Sequence, residues 1–139
     1  PARLSNWPAQ IKLAPVNAPY FQGCDLLVAA DCTAFAYGAF HEDFLKGRVC
    51  LIGCPKLDGV DYTEKLAQII AENNVRSVRV ARMQVPCCGG LEQAVRRAVA
   101  IAGSQNGAGA AGAVVGAVAS SIPVQIDVIS SDGRIVAVG

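Results

Sequence analysis

Histidine occurs once in these 139 residues, aromatic side chains make up 6% and charged ones only 17%. Each shortage closes off a class of function. A single histidine, His41, leaves little for general-base hydrolysis of the Ser–His–Asp kind, and its default reading is a surface helix residue. Sparse aromatics argue against a base-stacking platform. A formal net charge of +1 gives no electrostatic grip on nucleic acid or on an anionic membrane. No glycine pattern matches a dinucleotide or phosphate-binding fingerprint. No Cys-x-x-Cys pair occurs either, so the compact spacing of zinc ribbons and two-cluster ferredoxins is missing.

The Ala/Gly/Val run from Gly107 to Ala119 approaches the length of a membrane span, yet it lacks Leu, Ile and Phe and has no flanking aromatic or basic anchors. It predicts a surface insertion over about 104–121, with poor order from Gln105 to Gly112.

What is present is a hydrophobic fraction of 53%, enough for one packed domain, 1–139, and six cysteines. A secreted disulfide scaffold fits poorly, because such scaffolds are loop-rich and lack a core. Here the continuous apolar runs Asp25–Ala30 and Arg48–Gly53 have the character of strands buried on both faces. Gln10 to Pro15 alternates and predicts an earlier strand, and Ser77 to Val85 a later one. A short helix is expected around Ala39 to Lys46, closed by Gly47.

Asp61 with Glu64 three residues on has the form of a capping box. Tyr62, Leu66, Ile69, Ile70 and Asn73 share a helical face, so a helix is predicted over Asp61 to Asn73. Leu91, Val95, Ala98, Val99 and Ala102 define a second helix with Gly103 as its stop. Val124–Ile129 and Ile135–Val138 form a closing hairpin around Ser131-Asp132-Gly133. This order predicts an α/β fold: a mostly parallel sheet flanked by helices, Rossmann-like and three-layered, with a C-terminal antiparallel hairpin.

Three apolar runs end in cysteine: Ala29-Ala30-Asp31-Cys32, Leu51-Ile52-Gly53-Cys54-Pro55 and Gln84-Val85-Pro86-Cys87-Cys88-Gly89-Gly90. If the strands are parallel, all three turns emerge at the carboxyl edge of the sheet, where open α/β folds bind ligands. Thiolates select zinc, copper(I) or iron–sulfur clusters. Cys32, Cys54, Cys87 and Cys88 therefore form a candidate ligand set of the size a cubane uses, although adjacent cysteines are awkward partners for one cubane. Pro55 and Pro86 stiffen the turns, and Gly53, Gly89 and Gly90 are expected to allow close backbone approach. Cys24 and Cys50 are read as packing residues. Asp31, Lys56 and Asp58 lie beside these turns and could tune a thiolate, meet a substrate or cap a helix.

Leu4-Ser5-Asn6-Trp7-Pro8, Asn17-Ala18-Pro19-Tyr20-Phe21, Ala29-Ala30-Asp31-Cys32, Gly53-Cys54-Pro55-Lys56-Leu57-Asp58 and Val85-Pro86-Cys87-Cys88-Gly89-Gly90-Leu91 together resemble the C-terminal module of 4Fe–4S ferredoxin-type iron–sulfur cluster-binding proteins of anaerobic bacteria and archaea. The resemblance runs from Leu4 to about Gly103 and resumes at the hairpin. It implies a 4Fe–4S cluster on Cys32, Cys54, Cys87 and Cys88, a cytoplasmic and anaerobic redox context, and a ferredoxin-like electron-transfer module or redox protein as partner. The chain departs from that arrangement in lacking the ferredoxin segment and in its longer Ala/Gly stretch. Two alternatives stand beside it: a thiol or persulfide enzyme using Cys87 or Cys88 as nucleophile, and a structural zinc domain.

Overall fold

A computed structural model of the chain describes residues 1–109 and 122–139, with side chains described outside 105–121. Five strands form one sheet: β1 (Asp25–Ala30), β2 (Val49–Gly53), β3 (Ser77–Met83), β4 (Val124–Ile129) and β5 (Ile135–Val138), in the order β2-β1-β3-β4-β5. The first four are parallel to their neighbours, and β5 returns antiparallel to β4. The expected mostly parallel sheet with an antiparallel end is what forms. The continuous apolar runs are the reason, since strands buried on both faces need helices above and below.

Helix α3 (Thr63–Glu72) follows β2, and α4 (Gly89–Gly109) follows β3; the two pack together on one face. Tyr62, Leu66, Ile69, Ile70 and Asn73 are all buried, as their shared face predicts. The expected Asp61–Glu64 capping box does not form: Tyr62 is the N-cap, with no side-chain cap bond, and Asp61 instead accepts hydrogen bonds from the backbone N–H and hydroxyl of Thr63, two residues on. On α4 the inward stripe Leu91, Val95, Ala98, Val99 and Ala102 is buried. The helix does not stop at Gly103 but runs on to Gly109. One helical glycine costs only about 1 kcal/mol, so Gly103 by itself does not end the helix. The expected insertion over about 104–121 lies mostly outside the described residues.

The opposite face is covered by α1 (Thr33–Ala36) and a wide helical turn at His41–Leu45, shorter than the helix expected over Ala39 to Lys46. Gly47, at φ +77°, ends that turn as expected. Along β3 the side chains alternate between the two layers. Arg82 pairs with Glu92 of α4 at 2.9 Å, whereas Arg79 lies over the Phe44 ring, 4.5 Å from its centroid.

The strand expected over Gln10 to Pro15 is not a strand. Gln10 forms only an isolated bridge with Ile52, and the chain then turns, with the N–H groups of Leu13 and Ala14 both donating to the Gln10 carbonyl. The alternation arose because Ile11 plugs the core while Lys12 and Leu13 face outward. This N-terminal segment still protects the outer edge of β2. Ile52 N–H donates to Ala9 O, Ile11 N–H donates to Ile52 O, and the Asn6 amide both donates to and accepts from the Cys50 backbone at 2.9 and 3.0 Å. Asn6 thereby stands in for a missing neighbouring strand, covering an edge that would otherwise be open to pairing.

At the start of β1, Arg76 and Ser77 donate to the Asp25 carboxylate and hold it at about 2, well below the usual carboxylate range. A carboxylate whose folded pKa is depressed adds stability above its unfolded value near 4 and loses it as pH falls toward 2. Arg76 is largely exposed, which screens the pair, so the contribution is about 1 kcal/mol. Asp25→Asn is expected to flatten the fall in unfolding free energy between pH 4 and pH 2, measured by urea titration at each pH.

Candidate functional site

Strand β1 is followed by β2 on one side, and the chain then crosses back through α3 to place β3 on the other. The carboxyl ends of β1 and β3 thus flank a topological switch point, the position where open α/β sheets leave a crevice. Cys32 follows β1 by two residues, Cys54 follows β2 directly, and Cys87 and Cys88 follow β3 across a short turn. Parallel pairing brings all three turns to one edge.

Local structure explains how each cysteine is held. The Cys32 carbonyl accepts the Phe35 and Ala36 N–H groups that open α1, and Thr33 anchors the turn by donating its hydroxyl to Ala30 O at 2.8 Å. Cys54 precedes Pro55, the first residue of α2 (Pro55–Asp58), and its carbonyl accepts the Asp58 N–H. Cys87 and Cys88 occupy a single 3₁₀ turn, Pro86–Cys88, that leads into α4. That turn packs on α2, which draws the Cys87-Cys88 pair toward Cys54. The positive N-terminal end of α4 lies beside it.

The four side chains differ in exposure. Cys32 and Cys87 are exposed, Cys54 is half-buried and Cys88 is buried. Burial pushes the Cys88 thiol up, and its neighbours Cys87 and Cys54 add to the shift by like-charge repulsion. Cys54 and Cys87 therefore each lie within electrostatic reach of Cys88. Among the described residues, no three His, Cys, Asp or Glu side chains already converge as a metal-holding group. Cys50 lies inside β2, 2% exposed, and burial raises its thiol to about 12. Cys24 precedes β1, where burial, followed by the Asp25 charge, raises it to about 11.

Beneath the edge lies a group that the strand-end cysteines did not point to. Tyr62, at the start of α3, donates its hydroxyl to Asp58, and burial followed by this bond pushes the phenol far up. A Cβ on Gly53 would sit 2.8 Å from the Tyr62 hydroxyl, so close approach is demanded at Gly53. At Gly89 a Cβ would meet nothing, and at Gly90 it would make ordinary contact with Pro55 at 3.6 Å; the expected need for glycine is not found there. Asp31, beside Cys32, has a buried Oδ1 with no hydrogen-bond partner. Its carboxyl is raised by burial and then by the Asp58 charge, with the Gln10 amide partly offsetting both. Tyr62 was visible in sequence only as a core position of its helix, and Asp58 only as a neighbour of Cys54. His41 is exposed, and its Nδ1 accepts the Arg3 backbone N–H at 2.9 Å.

Among the described residues no helix is long and apolar enough to cross a membrane. An uncharacterized protein of Archaeoglobus fulgidus is 33% identical over 104 residues, covering 74% of this chain and 73% of its own length. No solved structure gives a significant match. A family model described as a Rossmann-like domain matches residues 18–138. With its parallel sheet and its switch point between β1 and β3, the chain belongs to that Rossmann-like domain family.

Proposed function

We propose that the carboxyl edge of the sheet binds a thiolate-ligated metal centre, a 4Fe–4S cluster, held by Cys32, Cys54, Cys87 and Cys88, and that the protein works in redox chemistry. The observation that carries this reading is the placement of three cysteine turns on three adjacent parallel strands at the switch point. The donors are of the soft type such a cluster takes. Cys54 and Cys87 each stand within charge range of Cys88, and the Cys87-Cys88 turn packs on α2 beside Cys54. The exposed side chains of Cys32 and Cys87 are free to turn toward Cys54. When bound, the cluster would supply one-electron transfer. The chain's own part is to present the thiolates beside the α4 N-terminus and to hold the Cys54 turn through Gly53, Tyr62 and Asp58.

Phe35 and Leu57, each three residues beyond a site cysteine, are 93% and 81% exposed. Large apolar side chains standing free beside a redox site favour docking of an electron-transfer protein there. A cytoplasmic, anaerobic setting accords with four free thiols at an open edge. The thiol-enzyme alternative loses support at Cys88, because burial holds that thiol protonated.

Anaerobic reconstitution with iron and sulfide tests the reading. The expected result is a brown protein with broad visible absorption and about four irons per chain. A colourless, iron-free product overturns it. Stoichiometric zinc in its place would assign the same thiols to a structural site.

A further inference from the structure

A cavity of about 390 Å³ opens on the sheet face opposite α3 and α4, between the N-terminal segment and the His41–Leu45 turn. Phe40, Leu45 and Ile52 form its inner wall and Trp7 and Leu13, 79% and 70% exposed, its open rim; Gln10 and His41 are polar residues of its lining. No Asp, Glu, Lys or Arg lines it. The volume falls within the range of small-molecule sites, about 300–1,000 Å³.

The cavity adjoins the cysteine edge. Ala34 on its wall is two residues past Cys32, Ile52 is two before Cys54, and Gln10 is the amide that acts on Asp31. We infer that this cavity is a binding site for an uncharged, flat ring compound carrying a carbonyl oxygen, seated beside the carboxyl edge.

Three features select that chemistry. The lining offers no counter-charge, so burying an ion there would be costly. Three of the lining side chains, Trp7, Phe40 and His41, are themselves rings, which favour flat partners. The third feature is the tautomer of His41. Its Nδ1 accepts the Arg3 N–H, so the neutral imidazole carries its proton on Nε2. That leaves the His41 Nε2–H as a donor for a ligand acceptor. The site does not depend on the metal reading, because the cysteine in its lining, Cys50, lies outside the proposed ligand set.

Trp7 is the sole tryptophan and lines the cavity, so its fluorescence reports occupancy directly. The probe is the bicyclic ketone 1-tetralone, titrated into the iron-free chain and again after reconstitution. Saturable quenching or shift of Trp7 emission is expected in both, with half-saturation below about 1 mM, reasonable for a ligand of this size. Tetralin, which lacks the oxygen, is expected to bind several-fold more weakly. Ala34→Phe, at an exposed wall position, is expected to weaken binding at least tenfold with unchanged melting. Leu13→Gln at the exposed rim gives a second variant should the first fail to fold.

Absence of saturation up to the solubility limit overturns the inference. So does equal binding of decanoate, which would mark an unspecific greasy surface. Self-association that buries Trp7 would assign the face to a second copy of the chain and likewise overturn it. Failure of iron loading leaves these readouts untouched, so the two proposals fail separately.

Discussion

Asp127→Ala is expected to lower the unfolding free energy by about 3–5 kcal/mol, the cost of leaving a buried cation unpaired. Asp127 is 1% exposed and its Oδ2 accepts the Arg79 guanidinium at 2.5 Å, while Gln125 donates to Oδ1 at 2.8 Å. Arg79 cannot easily escape to water. It lies over Phe44, donates to the Asp43 carbonyl, and its Nε is buried without a partner. A second cation is close, since burial and then the Arg79 charge depress the pKa of Arg48. Removing Asp127 takes away the carboxylate paired with Arg79 and leaves Asp25 as the nearest counter-charge to Arg48.

Urea unfolding should show a lower midpoint with an unchanged slope. Asp127→Asn, which keeps hydrogen-bonding capacity, is expected to lose less. Asp127→Ala combined with Arg79→Met should recover part of the loss, because a buried ion pair replaced by apolar groups is often near neutral. A loss below about 1 kcal/mol for Asp127→Ala would mean that the pair is effectively solvated.

Cys54→Ser is expected to abolish stable iron loading under the proposed function. Cys54 follows β2 directly, its helix α2 packs against the Cys87-Cys88 turn, and it acts electrostatically on Cys88. Its turn is fixed by Pro55, by the Asp58 N–H bond and by Tyr62 beneath Gly53, so its thiol is the one held in place for the others to meet. Iron and sulfide content after anaerobic reconstitution, with the visible spectrum, checks this. Cys32→Ser is expected to leave a labile, partly loaded centre, since Cys32 is an exposed ligand that must turn inward. Cys24→Ala is the control and should load fully, because that thiol lies before β1 at the opposite end of the strand. Full loading of Cys54→Ser would remove Cys54 from the ligand set.

Local patterns carried most of the fold. The apolar runs at Asp25–Ala30 and at Arg48–Gly53 needed no partner to be recognised, and Leu66, Ile69 and Ile70 of α3, with Tyr62 and Asn73 at its ends, declared their face by spacing alone. Gln10 to Pro15 misled for a physical reason. Two-residue alternation over so short a stretch cannot distinguish a strand from a bridge followed by a turn, and the turn is set by hydrogen bonds to the Gln10 carbonyl. Gly103 misled in another way, because a glycine ends a helix only where the chain must turn there. Of the candidate site, the four cysteines and their carboxyl-edge placement could be read from the chain. The Tyr62–Asp58 bond under Gly53 could not, since nothing in the spacing of Gly53 and Tyr62 reveals that they touch.

The sequence by itself determined which segments are strands and helices and that Cys32, Cys54 and Cys87-Cys88 each follow a strand. Periodicity and turn residues act over a few neighbours, so these features are written locally. Only the tertiary structure decided the order β2-β1-β3-β4-β5, and with it the switch point that gives the cysteine edge its crevice. It alone also brought Arg79 to Asp127 across adjacent strands and closed the Trp7 cavity against β2. Those juxtapositions join residues tens of positions apart, and they are selected by the burial of both sheet faces as a whole rather than by any short stretch of chain.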